Sequence, residues 1–216
     1  MDLIIIGAGG HGTVVADMAM SAGYNVLAFV DSRKIGSKIV GVDVIPSVTE
    51  LSSNIVSSCG FVIAIGDNFS REIAYRDLLA ILPNAHFPML SHPSATISSF
   101  ASIGQGTVVL AQSYIGPNCR VGQFCILNTQ ASLDHDSELC DFSTLAPKVS
   151  TGGNVYVGRR SAVCIGATLK QRVRVGADSV IGAHSFLNSD VPDCSVVYGA
   201  PARIVRSRSP CDSYLH

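Results

Sequence analysis

The chain has 216 residues, a formal net charge of −1, and 47% hydrophobic against 14% charged residues, which is ample for a packed core and excludes a disordered chain. No global positive field exists to hold nucleic acid, and Arg203, Arg206 and Arg208 form a short tail cluster rather than a patch. No secretory leader or membrane-length apolar run is visible, and seven cysteines without a CxxC pair form neither a complete disulfide framework nor a zinc site; the expectation is a soluble, cytoplasmic protein with no metal, no nucleic-acid partner and no membrane span.

Residues 3–6, LIII, read as a buried strand ending in GAGGHG, and TVVADMAMSAG then has helical spacing, with Val15, Met18 and Ala19 on one side and Gly23 as the stop. A second strand, NVLAFV, ends at Asp31, a short third spans residues 42–45, and FVIAIGD at 61–67 leads into a helix from about Phe69 to Leu82. This alternation predicts a small parallel sheet with its ligand at the carboxyl ends of the strands. Gly7, Gly9 and Gly12 satisfy GxGxxG, and Asp31 follows Gly12 by 19 residues. Glycine lets backbone approach a diphosphate, and a helix N-terminus supplies amides and a favourable dipole. Those features serve a nucleotide sugar as well as a dinucleotide, and a purely structural glycine turn is the third reading.

From Ile97 the chain divides without gaps into sixteen hexads, from ISSFAS to LNSDVP. The first position is Ile, Val or Leu in fifteen of them, Thr151 being the exception, and the fifth is always Ala, Ser, Thr, Cys or Val. One aliphatic and one small inward residue every six positions is the signature of a β-solenoid, whose turns bury their cores on one another. Three hexads to a coil give about five coils, a prism of roughly 25 Å at the usual strand spacing.

Residues 18 apart then stack, so His135, in LDHDSE, is expected between Pro117 and Gly153, with open space beside Gly153 and with Asn128 near the same corner. Asp134 and Asp136 both flank His135. Alternation on a flat face sends both to the opposite side, so only distortion at a coil corner brings either into contact, and spacing alone leaves the choice open. Cys119 and Cys125 occupy inward small positions, and neither they nor Cys140 and Cys164 have a base beside them, which argues against a nucleophilic thiol. His11 either contacts a ligand phosphate or caps its helix; His92 marks entry to the first coil and His184 lies on the outer face. The register has no insertion, so a neighbouring protomer is needed to wall in a cofactor.

Together, IIIGAGGHGTVVAD, FVIAIGDN, HPSATIS, ILNTQASLDHD and VYGAPARIV make the chain resemble the NeuD/PglD-type sugar O- and N-acetyltransferases among the hexapeptide-repeat acyltransferases. The resemblance implies a small Rossmann-like nucleotide-sugar-binding domain at 1–85, a left-handed β-helix at 86–196 and a C-terminal tail at 197–216, assembled as a homotrimer with sites between protomers. It implies His135 as general base, Asp136 raising its basicity, and Asn128 as the asparagine of the LNT motif. Gly10, His11, Gly12, Asp31, Ser32 and Gly66 are the implied nucleotide-sugar contacts. Gly153, Ile165, Ala183 and Pro201 are the implied contacts to acetyl-CoA. Thr144 stands where members often carry a second histidine, so that histidine's role does not transfer; what remains is one hydroxyl hydrogen bond toward the cofactor.

The expected reaction is acetyl-CoA-dependent N-acetylation of a nucleotide-linked, UDP for preference, 4-amino-4,6-dideoxy sugar in surface-glycan synthesis. Direct attack by the amine requires a base with a pKa near neutrality, which an imidazole beside a carboxylate supplies. O-acetylation of a sialic acid and a non-catalytic trimeric sugar-binding scaffold are the alternatives.

Overall fold

The computed structural model describes residues 1–215; His216, the last residue of the expected tail, lies outside the described residues. The first layer is a five-stranded sheet built from β1 (Asp2–Ile6), β2 (Asn25–Val30), β3 (Lys38–Ile39), β4 (Val42–Ile45) and β5 (Gly60–Ile63), in the order β3-β4-β2-β1-β5. All neighbours pair in parallel except β3 and β4. Leu3, Ile4 and Ile5 of β1 are fully buried, because the strand is covered on both faces. Leu3 and Ile5 pack with Val15, Met18 and Ala19 of α1 (Gly10–Ser21), whereas Ile4 packs on the other side with Phe61, Ile63 and Leu78. That second side is covered by α3 (Asn68–Ile81), whose N-cap Asp67 accepts from the Ser70 amide. The two-residue β3, a 3₁₀ turn at Val48–Glu50 and the short α2 (Ser53–Ser58) carry no separate signal in the sequence.

Beyond these elements the chain winds into a three-sided left-handed prism of two-residue strands. Sixteen of them, from Thr96–Ile97 to Phe186–Leu187, recur every six residues, one for each hexad. Parallel pairing follows the 18-residue stack, as in Tyr114↔Ser132 and Ile115↔Leu133. The faces are sheets of six, five and eight strands. The eight-stranded face begins one hexad earlier than the sequence showed, at Leu90–Ser91, where Ser91 replaces the aliphatic first residue. It ends in an antiparallel hairpin, Ser195–Gly199 with Ala202–Ser207. The first-position residues form one continuous core, including Val109, Ile115, Leu127, Leu133, Leu145 and Val163.

The corners depend on a backbone state that most side chains avoid. The fourth residue of nearly every hexad is left-handed, with φ between 52° and 65° at twelve non-glycine positions including Phe124, Asp136, Phe142, Arg160 and Asp178. The cost, about 1–2 kcal/mol at each, is offset by ordered hydrogen bonding. Most of these amides donate to a carbonyl one coil down, as from Asp136 to the Pro117 carbonyl and from Phe142 to the Gln123 carbonyl. Several hydroxyls at the fifth position accept from amides one coil above, as Thr107 does from Cys125 and Ser137 from Val155.

One corner column docks the sheet layer. Phe124 and Phe142 stack with ring centroids 5.2 Å apart, and Tyr75 of α3 lies 4.3 Å from Phe124. Arg71, 1% exposed, reaches this column from α3: Nε donates to the Phe124 carbonyl at 2.9 Å, and Nη2 donates to the Phe142 carbonyl at 2.8 Å and to Asn68 Oδ1 at 2.7 Å. Its Nη1 holds the carbonyls of Ile65 and Gly66, just beyond β5. The neighbouring Glu72 is equally buried and receives Arg159, Arg160 and Arg76; Arg160 in turn forks onto Asp178. Burial pushes the Glu72 carboxyl up, but hydrogen bonds from Arg160 and then Arg159 outweigh it and hold the group below the usual carboxylate range.

Arg71→Met removes a donor from four carbonyls at once, two buried and two partly buried. The expected loss is about 3 kcal/mol, or a fall in Tm of roughly 6–12 °C for a chain of this size. Thermal unfolding measures it, and an unchanged Tm would show that the docking does not depend on this residue.

Candidate active site

At the end of β1 the chain turns through Gly7, at φ +105°, into α1. A Cβ at Gly12 would collide with the Gly7 carbonyl, so this glycine serves the close packing of helix on strand. Gly9 and Gly10 face open space, which leaves the first amides of α1 accessible to an anion. Asp31, at the end of β2, accepts from the Ala8 amide through Oδ2 at 3.1 Å and from the Arg33 amide through Oδ1 at 3.0 Å. Burial pushes its carboxyl up, but hydrogen bonds from Arg33 and Ala8 hold it below the ordinary range and therefore ionised. Lys34 Nζ donates to the Ala8 carbonyl at 2.8 Å, bringing to the glycine turn a cation that no motif marks. A cavity of about 550 Å³ opens here, lined by Gly7, Asp31, Ser32, Ser47 and the inner face of α3.

A second cavity, of about 610 Å³, lies between the glycine turn, the eight-stranded face and the C-terminal tail. His11, Gly66, Asn128, Thr144, Ile165 and Ala183 all line it, so six of the expected residues meet in one chain. His11 Nε2 is buried without a hydrogen-bond partner among the described residues. Burial, and then the charge on Arg71, pull its pKa down to about 4, so the ring is neutral. The tail supplies a wall that no motif indicated: Tyr214, its phenol pushed up to about 12 chiefly by burial, donates to the Gly66 carbonyl at 3.0 Å. The Thr144 hydroxyl donates to Asn68 Oδ1 at 2.7 Å and accepts from Arg71. Its one proton is therefore engaged in the docking network rather than free for a cofactor. Cys164 also lines this cavity, and burial pushes its thiol up to about 11, which leaves it a poor nucleophile.

His135 lies elsewhere. Asn128 follows the strand Ile126–Leu127 of the eight-stranded face, and His135 follows Ser132–Leu133 of the six-stranded face. The two residues thus occupy corners at opposite ends of one face, not the shared corner expected from their spacing. Gly153 stacks beneath His135, and the imidazole itself fills the space a side chain there would take: a Cβ would collide with Nε2. Ile165 and Ala183 belong to the Asn128 corner, so the residues expected around acetyl-CoA are divided between two corners. Pro201 is exposed at the tip of the terminal hairpin.

The two aspartates beside His135 have different partners. Asp134 Oδ1 accepts from the His135 amide at 2.8 Å. Asp136, turned by its φ of 57°, places Oδ2 2.7 Å from His135 Nδ1, while Asn118 Nδ2 holds its other oxygen at 3.0 Å. The Asp136 hydrogen bond raises the imidazole pKa, and the same bond followed by that of Asn118 lowers the carboxyl's. With Nδ1–H donated to the carboxylate, Nε2 carries the free lone pair. Among the described residues, no group of His, Cys, Asp and Glu is arranged to hold a metal ion, and no helix is long and apolar enough to cross a membrane.

Comparison with known proteins places this arrangement. Residues 2–78 match the family model described as the PglD N-terminal domain. GDP-perosamine N-acetyltransferase from Escherichia coli O157:H7 is 27% identical over 189 residues, covering 85% of this chain and 84% of that protein. A histidine-to-alanine variant of GDP-perosamine N-acetyltransferase from Caulobacter crescentus, solved in complex with CoA and GDP-perosamine, superposes with a TM-score of 0.89 at 31% identity, covering 96% of this chain and 98% of that one. The acetyltransferase domain of PglB from Neisseria gonorrhoeae in complex with acetyl coenzyme A gives 0.88 at 34% identity, covering 94% and 98%. With a sheet layer docked on a left-handed hexapeptide prism throughout, the chain belongs to the NeuD/PglD-type sugar acetyltransferases of the hexapeptide-repeat family.

Proposed function

We propose that the chain transfers the acetyl group of acetyl-CoA to the 4-amino group of a nucleotide-linked 4-amino-4,6-dideoxy sugar for surface-glycan synthesis, with His135 as general base. The observation that carries this reading is the His135–Asp136 pair, held at 2.7 Å with Nε2 outward over Gly153. The amine nitrogen attacks the thioester carbonyl, and Nε2 takes the proton that nitrogen loses as the C–N bond forms. Collapse of the tetrahedral intermediate breaks the C–S bond, and the imidazolium returns its proton to the departing sulfur. The high pKa of the buried thiols argues against an acyl-enzyme.

The glycine turn and Lys34 suit the diphosphate of the acceptor, with Asp31 and Ser32 toward its nucleoside, and His11 Nε2 is a buried donor or acceptor awaiting a ligand. His135 is a full face away from the cavity holding Asn128 and His11, which supports a homotrimer. A three-fold arrangement that sets one protomer's His135 corner against the next protomer's Asn128 corner turns the six-stranded face inward. The strands of that face fit such burial: their outward residues, Thr96, Tyr114, Ser132, Ser150, Thr168 and Phe186, are all uncharged, whereas those of the five-stranded face include Arg120, Glu138 and Arg174.

Free CoA release is the assay. His135→Ala is expected to lower kcat by about 10²–10⁴-fold while acetyl-CoA binding persists; near-native turnover with a good acceptor sinks the assignment. In the native enzyme Asp136 raises the pKa of the base, so activity climbs as pH rises through that elevated value. Asp136→Asn should move the acidic limb of kcat/KM to lower pH and reduce the plateau. An unmoved limb would mean that Asp136 does not set the imidazole.

Ser132→Arg places a charge on the six-stranded face and is expected to convert trimers to monomers in sedimentation, with CoA release lost and circular dichroism retained. Arg120→Ser, on the five-stranded face, should leave the trimer intact. The reverse pattern would put the interface on the other face.

A further inference from the structure

The cavity of about 550 Å³ at the carboxyl ends of β1 and β2 has the volume of an ordinary small-ligand site. Its glycine-turn end, with Gly7 and Asp31, suits phosphate and ribose. The opposite wall is one face of α3, where Ser70, Ala74, Asp77, Leu78 and Ile81 recur at helical spacing. Val48, Ala74, Leu78 and Ile81 supply apolar surface for a planar base.

Two carboxylates line this cavity, and they differ in what they have left to offer. Both oxygens of Asp31 are engaged, by the Ala8 amide and by the amide and Nε of Arg33. Asp77 is exposed and makes no side-chain hydrogen bond or ion pair among the described residues. An ionised carboxylate only accepts hydrogen bonds, and it is best matched by two parallel N–H donors. Guanine alone among the common bases presents such an edge, N1–H beside its exocyclic amino group. Uracil and thymine present one N–H flanked by carbonyl oxygens, which a carboxylate repels. Adenine and cytosine present one amino group beside an acceptor nitrogen.

We infer that Asp77 is the specificity-determining residue for the nucleobase, and that the acceptor sugar is carried on guanosine diphosphate rather than on the uridine diphosphate preferred from the sequence. This inference rests on the nucleotide-sugar reading above. Asp77 accepts N1–H and the amino group of guanine, while the ribose and diphosphate run toward Asp31, Lys34 and the start of α1.

Titration calorimetry of the full chain with GDP and with UDP tests it without requiring turnover. The native protein should bind GDP at least about 10-fold more tightly than UDP, the discrimination typical of a bidentate base contact. Asp77→Ala should bring GDP to the UDP level and leave UDP affinity within about 2-fold, since the phosphate and ribose contacts are untouched. Asp77→Asn, which replaces one acceptor oxygen by a donor, should lose the GDP preference as well. Equal native affinities, or a GDP preference that survives Asp77→Ala, would overturn the role of Asp77 while leaving nucleotide binding in place. If the native protein binds neither nucleotide, the nucleotide-sugar reading fails and this inference with it.

Discussion

The buried guanidinium of Arg71 is the joint on which the candidate site depends. Among the described residues it has no carboxylate partner; its charge is stabilised by carbonyls of two successive prism corners, Phe124 and Phe142, and of the loop after β5, Ile65 and Gly66. One side chain therefore fixes the ligand end of the sheet layer against the face of the prism. The left-handed corners contribute by stacking Phe124 on Phe142 in a flat column against which α3 can pack. Glu72, one residue on, repeats the arrangement with opposite sign against Arg159 and Arg160. Because Arg71 holds two stacked corners and Glu72 holds a third at Arg159 and Arg160, docking also cross-links the coils themselves. The cavity bounded by His11, Gly66 and Asn128 exists because this joint holds its two walls in place.

The same geometry explains why a single chain holds an incomplete constellation. A hexad prism distributes residues seven apart to opposite ends of a face, so Asn128 and His135 cannot cooperate within one protomer. The proposed trimer repairs this by symmetry: every corner that lacks a partner in one chain meets the complementary corner of the next. The uncharged outward strand residues of the six-stranded face then have a reason to differ from the charged ones of the five-stranded face, although both are built by the same repeat. The sheet layer stays outside that interface, docked on the corner opposite the face proposed to turn inward.

Much of the fold was legible because its period is in the chain itself. The LIII strand, the glycine turn, the amphipathic α1 and the hexads each have a local signal, and the structure places a strand at every hexad counted. What stayed hidden was long-range. Arg71 meets residues 53 and 71 positions away, and Tyr214 meets Gly66 across 148. No periodicity encodes such contacts, although aromatic residues at an outward corner position, Phe124 and Phe142, are a signal that something covers that corner. Asp77 sits on a helix whose pattern says only that its other side is buried. Thr144 was visible as a departure from the family pattern, but its engagement with Asn68 was not.

The choice between Asp134 and Asp136 shows how backbone conformation decides a chemical role that composition leaves even. Alternation along an ideal strand sends both carboxylates away from the imidazole. The fourth position of the hexad, however, must be left-handed for the coil to close, and in LDHDSE that position is Asp136. The turn swings its carboxylate back onto Nδ1, while Asp134, still on the extended side, caps the His135 amide instead. Asn118, 18 residues earlier and left-handed for the same reason, steadies the second oxygen of Asp136. The strain that closes each coil is thus the strain that orients the proposed base. A D at that position gains a role that the same residue two places earlier cannot take.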